Sequence, residues 1–444
     1  MDDQSKDGSG ARKTLRQAFA PLAMKPFRIL WTGNAISAIG SSMTRIALVF
    51  SVLSIGGSAT DIGMVMAGQV GAQVVFTLAG GVWADRLQRR VVMLTADLIR
   101  AGAQAVLAVL LLSGHAEVWH LVVGGVVFGS AQAFFGPASS GLIAEIVPPE
   151  QLQRANALMT SCFSFFSVVS PALAGVAIAL VGPGLVLAID AVTFVVNAIS
   201  LAILKLAPRT VQLSGSFWKD LGEGWKELIS RRWLFLNMIA HGFQNLAIVA
   251  YFVLGPTIAD KSLGGASSWG LIAAAYAAGS ISGGVVALRI DPKRPLIAGN
   301  LAFALTALPL LALAVPMPVW AVMAAAFVGG TGGMFLDAVW RASLQQLIPD
   351  EVLSRVDSYD WMISTVAAPI GLALVGPLAE STSNTSTLLI AAVAIVVPLS
   401  LTVLIPGVRA VHKLPDGRTV GPQPRGAATV PQPASEPEPV ADRP

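Results

Sequence analysis

An all-α integral membrane fold, with twelve transmembrane helices in two pseudo-symmetric halves of six, is what this chain predicts. Three observations lead there. Apolar residues make up 54% of the 444 and charged residues 12%, where a soluble domain carries about 25% charged residues. The apolar residues gather into twelve runs, and about 20 apolar residues in a helix suffice to cross a bilayer. Lysines and arginines crowd into alternate turns between the runs.

Residues 1–26 are polar and lack the apolar core of a cleavable signal, so they read as a cytoplasmic tail. Runs at 27–54, 60–84, 91–113, 118–142, 154–180 and 184–206 form the first half. The polar segment 207–232 follows as a linker. Its Trp218, Leu221, Trp225, Leu228 and Ile229 share one helical face, with Lys219, Asp220, Glu223, Lys226 and Glu227 on the other. That pattern suits an interfacial helix on the cytoplasmic surface or one that binds a partner. Runs at 233–255, 267–289, 295–315, 319–343, 355–379 and 386–407 form the second half, 233–408 with its flanks. The stretch 409–444 is polar and proline-rich and reads as a disordered tail.

Of the 29 lysines and arginines, 26 fall in segments on the side of the N-terminus, and Lys261 alone lies in the opposite turns. Arg45 and Arg100 lie within runs. The cation bias therefore puts the chain in the cell membrane with both termini cytoplasmic. A net charge of +4 held in short loops is not a nucleic-acid footprint. The single cysteine, Cys162, excludes an internal disulfide. His115, His120, His241 and His412 form no ligand-spaced group within a run, so neither a metal nor a cofactor is expected. Neither a phosphate-binding loop nor a nucleophile–base constellation occurs, so neither ATP-driven transport nor an enzyme is expected.

The halves repeat. Ile146-Val147-Pro148-Pro149-Glu150 through Asn156 returns as Leu347-Ile348-Pro349-Asp350-Glu351 through Asp357, 201 residues later. Gly80-Gly81-Val82 returns as Gly283-Gly284-Val285 at an offset of 203. The turn Gly80-Gly81-Val82-Trp83-Ala84-Asp85-Arg86-Leu87-Gln88-Arg89-Arg90 resembles the G-x-x-A-D-R-x-x-R-R signature of the major facilitator superfamily. Gly81, Asp85, Arg86, Arg89 and Arg90 match it, and Gln88 stands where the family has glycine. Phe27 to Trp31, Gly40 to Ala47, Asp97-Leu98-Ile99-Arg100 and the Pro-x-x-Leu-x-Arg loops are similar to the branch of macrolide-efflux and enterobactin-exporter-like proteins. The resemblance implies the parallel-repeat fold, a midplane site between the halves, a cavity lined by helices 1, 4, 7 and 10, and a gating role for the Asp85 turn.

Within that frame, helix 1 carries a polar stripe, Asn34, Ser37, Ser41 and Arg45, at spacings of 3, 4 and 4. A lipid-facing charge near the bilayer centre costs at least ~2.5 kcal/mol, so Arg45 serves either the cavity or the outer interface. Helix 4 presents Phe128, Gln132, Phe135 and Ser139, and helix 7 presents His241, Gln244 and Asn245. Helix 10 adds Phe335. Each set suits a substrate cavity or plain packing. The within-span carboxylates Asp190, Asp97 and Asp337 are the candidates for proton coupling. Asp97 and Asp337 each have an arginine one turn away, and Asp190 has none in its helix. Two family features of proton antiporters are absent: an arginine in helix 4, and a full Gly-Pro-x-x-Gly-Gly in helix 5, where Ser170 to Gly175 keeps the proline and one glycine.

The expected function is a secondary transporter that exports a small amphipathic organic molecule by alternating access, coupled to protons. The expected partners are that substrate, protons and the lipid bilayer, with a monomer as the working unit. Import or facilitated diffusion of a metabolite is the alternative, followed by a non-transporting receptor or scaffold.

Overall fold

The structure, a computed structural model, describes residues 19–204, 225, 228–414 and 418–422. Side chains at 78–86, 350–352, 354, 355, 357, 358 and 361 are outside the description. The helices run α1 Lys25–Ser54, α2 Ala59–Arg86, α3 Arg89–Leu112 and α4 Val118–Ile146. The next helix, Pro149–Ile203, is 55 residues long and breaks at Gly182, where φ is +79°. Only glycine adopts that conformation without cost, and Pro183 then starts a new helix. The two parts are α5 (149–181) and α6 (183–203). There follow α7 Arg232–Ile258, drawn out by a π turn over Ala259–Leu263, and α8 Ala266–Arg289. Next, α9 spans Pro295–Ala314 with a 3₁₀ piece at Leu305–Ala307. Then come α10 Val319–Leu347, α11 Asp350–Ser381 and α12 Asn384–Thr402.

Local chemistry sets several of the ends. Prolines occupy the first turns of α1, α5 and α9, where a missing N–H costs nothing. Ser383 Oγ accepts from the Ser386 N–H at the start of α12. The 3₁₀ piece of α9 coincides with Thr306, whose hydroxyl bonds back to the Phe303 carbonyl at 2.7 Å. Among the described residues, ten helices are long and apolar enough to cross a membrane, with the broken 149–203 helix taken as one.

The apolar packing shows how the bundle is organised. At the end of the bundle remote from Lys25, one cluster joins both parts of the chain. It includes Leu48, Phe50 and Val52 of α1, Ile62 of α2, Tyr251 and Leu254 of α7, Trp269 of α8 and Val375 of α11. At the other end two separate clusters form: one around Phe27, Leu30, Met93 and Leu142, the other around Leu228, Leu234, Leu296 and Leu344. The joined end is held by small residues that let backbones touch. A Cβ on Gly376 of α11 would sit 2.6 Å from the Thr60 nitrogen of α2, and one on Gly270 of α8 would sit 3.0 Å from the Gly175 Cα of α5.

Two expected segments look different in space. The proline-rich tail expected from residue 409 has structure at its start: a helical turn Pro406–Ala410 and a hairpin of His412–Lys413 with Thr419–Val420. The hairpin is pinned by an ion pair of Lys413 with Asp291, by Lys413 N–H on the Lys293 carbonyl, and by Thr419 N–H on Gln346 Oε1 at 2.7 Å. Of the linker face, Leu228 is buried, and Trp225 meets Phe235 and Tyr359 at ring separations of 6.1 and 5.5 Å. Trp218 and Leu221 lie outside the described residues.

The glycine contacts give a direct expectation. In a Cys162→Ser background with spin labels at the exposed Ser58 and Ser381, Gly376→Val should lengthen the distance between labels by several ångströms, because the added methyls cannot fit. An unchanged distance would mean that this contact does not hold the end closed.

Candidate functional site

On α3, Asp97, Arg100 and Gln104 stand at i, i+3 and i+7, so they share one face. That face is buried: the three residues are 0%, 2% and 1% exposed. Arg100 pairs with Asp97 and donates to Gln132 Oε1 of α4 at 2.5 Å. Its guanidinium carbon also lies 4.2 Å from the ring centre of Phe135 and 4.4 Å from that of Phe194, a cation held between two aromatic faces. Asp97 accepts from Asn197 Nδ2 of α6 at 2.8 Å, and the same nitrogen donates to Asn34 Oδ1 of α1. Further along, Asp190 of α6 accepts from Thr44 of α1, from Gln104 Nε2 at 3.0 Å and from Thr193 at 3.2 Å. Two buried polar groups thus tie the helices: Asn34–Asn197–Asp97–Arg100–Gln132 joins α1, α6, α3 and α4, and Thr44–Gln104–Asp190 joins α1, α3 and α6.

The second half holds a matching knot. Asn237 lies 203 residues after Asn34, and Asn300 lies 203 after Asp97. Asn300 Nδ2 donates to Asn237 Oδ1 of α7 at 2.8 Å and to Thr402 Oγ1 of α12 at 2.7 Å, while its Oδ1 lies 3.1 Å from His241 Nε2. Gln244 Nε2 donates to Thr306 at 3.2 Å, and the His241 ring is edge-on to Phe303 and Trp340. Helices 1, 3 and 6 and helices 7, 9 and 12 are therefore pinned in the same way, the first set with charges and the second with amides and hydroxyls.

The structure regroups the expected residues. Asn34, Gln132 and Phe135, expected along a cavity, turn inward to Asp97 and Arg100. Asp190, which has no arginine in its own helix, bonds to neutral groups, Thr44, Gln104 and Thr193. Ser37 is buried, Ser41 is half-buried and Arg45 is exposed, without a hydrogen bond or ion pair among the described residues. Asn245 bonds back to the His241 carbonyl. Phe335 is buried, and Asp337 pairs with Arg341 at 3.0 Å on an exposed surface. In the signature turn, the side chains of Gly81, Asp85 and Arg86 lie outside the described residues. Arg89 donates to the Gly141 carbonyl at 2.6 Å and pairs with Glu145 at 3.2 Å, and Arg90 donates to the Ala202 carbonyl at 2.9 Å. Both arginines thus lie near the C-terminal ends of α4 and α6, where positive charge complements the helix dipole. Thr44, Gln104, Asn237, Asn300, Thr306 and Thr402 went unnoticed in the sequence; the 203-residue offset points to Asn237 and Asn300. Among the described residues, no group of three His, Cys, Asp or Glu is placed to hold a metal ion.

Residues 30–356 match the family described as the Major Facilitator Superfamily. The chain belongs to this superfamily. It is therefore a multi-pass membrane protein that acts on small molecules, in a family of transporters rather than enzymes. Macrolide efflux protein A of Streptococcus pyogenes is 26% identical over 355 residues, which cover 78% of this chain and 88% of that protein. Multidrug efflux pump Tap of Mycolicibacterium fortuitum is 25% identical over 409 residues, covering 87% and 95%. Among solved structures, an inward-facing bacterial homologue of the iron transporter ferroportin aligns with a TM-score of 0.68 at 16% identity, covering 86% of this chain and 98% of that one. The nucleoside transporter NupG aligns at 0.67 and 15%, covering 86% and 99%. At these identities the structures speak for the fold.

The two polar knots set a stability order for this superfamily member. Asn197→Ala and Asn300→Ala should each cost about 1–3 kcal/mol, because buried partners are left unmet. Arg100→Leu should cost more, about 3–5 kcal/mol, because a buried carboxylate loses its counter-ion. Thermal unfolding of the purified variants in detergent checks the order; equal losses for all three would contradict it.

Proposed function

We propose that this chain exports small amphipathic organic molecules of the macrolide or multidrug kind, by alternating access driven by a proton gradient. One observation carries the reading: relatives named as efflux proteins align over 88% and 95% of their own length. The chain works as a monomer with both termini in the cytoplasm. It has twelve spans: the ten apolar helices, the extra one that the Gly182 break makes, and Ala59–Arg86. The halves are 27–206 and 233–408, joined by 207–232 and preceded by the tail 1–26. The end where the apolar clusters join is then the outer one, and the structure corresponds to an inward-facing state.

In this reading the halves rock about a central site. Ser41 and Arg45 in the first half and Asn245 in the second are the less buried of the expected cavity residues and stand nearest the path, while His241, Gln244, Phe335 and Ser37 are buried behind them. Arg45 is the exposed, unpaired cation among them, so it is the group free to meet a polar end of the substrate. The signature turn, with Gly81, Asp85, Arg86, Arg89 and Arg90, closes the cytoplasmic side. Asp97 and Asp190 carry the coupling, since Asp337 is exposed and paired with Arg341.

Inverted membrane vesicles loaded through an imposed pH gradient test this. Labelled macrolide should accumulate uphill inside them, and collapse of the gradient should release it. Accumulation that follows sodium instead, or net movement in the import direction, would overturn the reading. In the same assay Asp85→Asn should insert normally and slow transport about tenfold, the effect of ~1.4 kcal/mol withdrawn from the closed state. Arg45→Ala should weaken transport more than Arg45→Lys, which keeps the charge without the planar fork; normal transport by both would leave Arg45 as an interfacial anchor.

A further inference from the structure

In the first half, Arg89 at the α2–α3 turn reaches the C-terminal end of α4. It donates to the Gly141 carbonyl at 2.6 Å and pairs with Glu145 at 3.2 Å. One side chain thus ties the turn to the helix end. The repeat removes both partners of that ion pair. At the offset of 203 that relates Asp97 to Asn300, Pro292 stands where Arg89 stands. At the offset of 201 that relates the segments after α4 and α10, Gln346 stands where Glu145 stands. Proline has neither a cation nor an N–H to offer, and a neutral amide forms no ion pair.

The second half is tied all the same, by the C-terminal segment of the chain. Lys413 and Thr419 lie opposite each other in the hairpin, and their N–H groups turn outward rather than across the ladder. Lys413 N–H donates to the Lys293 carbonyl at 3.0 Å, and its side chain pairs with Asp291, both in the α8–α9 turn. Thr419 N–H donates to Gln346 Oε1 of α10 at 2.7 Å. Each strand therefore holds one of the two elements that Arg89 and Glu145 join directly in the first half. Leu414 N–H on the Arg418 carbonyl at 2.8 Å closes the hairpin. Its root is fixed as well: Val408 and Val411 are fully buried, in the cluster that holds Leu344 and Ile348 at the end of α10. Arg231, just ahead of α7, donates to the Leu347 carbonyl at 3.2 Å at the same place.

We propose that the hairpin is an internal clasp: it locks the α8–α9 turn to the C-terminal end of α10 and so replaces, in the second half, the Arg89–Glu145 tie of the first. α8, α9 and α10 then move as one body, as α2, α3 and α4 do. The consequence for transport rests on the export reading above, since rocking halves must carry their helices along; the clasp itself does not rest on it.

Pulsed electron–electron distance measurements on the full chain in lipid nanodiscs, in the Cys162→Ser background and without substrate, test this. One label pair, Ile290→Cys with Gln345→Cys, spans the second-half tie, and the other, Leu87→Cys with Ala144→Cys, spans the first-half tie; all four positions are exposed. Thr419→Pro removes the N–H given to Gln346 and leaves the ladder intact, because that N–H points away from it. Combined with Lys413→Glu, which sets two carboxylates against each other, it should broaden the second-half distance distribution by several ångströms and leave the first-half one unchanged. Arg89→Ala should do the reverse. Adding Pro292→Arg and Gln346→Glu to the clasp variant should narrow the second-half distribution again, and Lys413→Glu with Asp291→Lys alone should keep it close to that of the wild type. A second-half distribution that stays narrow in the Thr419→Pro, Lys413→Glu chain, that broadens together with the first-half one, or that the added arginine and glutamate fail to narrow would overturn the proposal. Macrolide uptake into inverted vesicles by the clasp variant should fall several-fold; normal uptake beside a broadened distribution would overturn the consequence for transport and keep the clasp.

Discussion

The buried guanidinium of Arg100 is the interaction on which the first half depends. A charge in a membrane bundle survives where counter-charge, hydrogen-bond acceptors and aromatic faces surround it. Here Asp97, Gln132, Phe135 and Phe194 do so. They come from three parts of the chain: Asp97 from the same helix, Gln132 and Phe135 from the next, and Phe194 from α6 across the half. Asn197 then links Asp97 to Asn34, which fixes α1. In lipid the apolar surface of a helix gains little by meeting another helix, so polar ties and close backbone contacts decide the packing.

The second half shows what the same architecture looks like without charge. Its knot of Asn237, Asn300, Thr402 and His241 keeps the helix relationships and dispenses with the ion pair. A duplicated scaffold has thus diverged at a few positions, notably Asp97 against Asn300 and Arg100 against Phe303. Where the halves themselves touch, small residues let backbones meet: Gly175 against Gly270 and Gly376 against Thr60. Such contacts hold surfaces in van der Waals range with few specific bonds, so they can part without leaving buried polar groups unmet.

Much of the fold was legible in the sequence because hydrophobicity and length settle which segments enter a bilayer. The separation of α5 from α6 at Gly182-Pro183 follows from two residues alone. The site was legible in parts. Periodicity showed that Asn34, Ser37, Ser41 and Arg45 share a face, but it cannot say what that face meets. Asn34 meets Asn197 of α6, while Arg45 is exposed. Gln132 and Phe135 were drawn to Arg100, a partner 32 and 35 residues away in sequence. Gln104 and Thr44 carry no local signal, since their meaning comes from Asp190, which lies on another helix. Asn237 and Asn300 were legible in principle through the 203-residue repeat; Thr402 was not, because its counterpart Asn197 is offset by 205.

A one-for-one exchange of protons with exported molecules, as in the proposed function, has a direct thermodynamic consequence. The static-head gradient in proteoliposomes, with the membrane potential clamped to zero, measures it most directly. Each tenfold gradient of macrolide should be balanced by about one pH unit, because both correspond to ~1.4 kcal/mol. A balance point that does not move with pH would contradict the account.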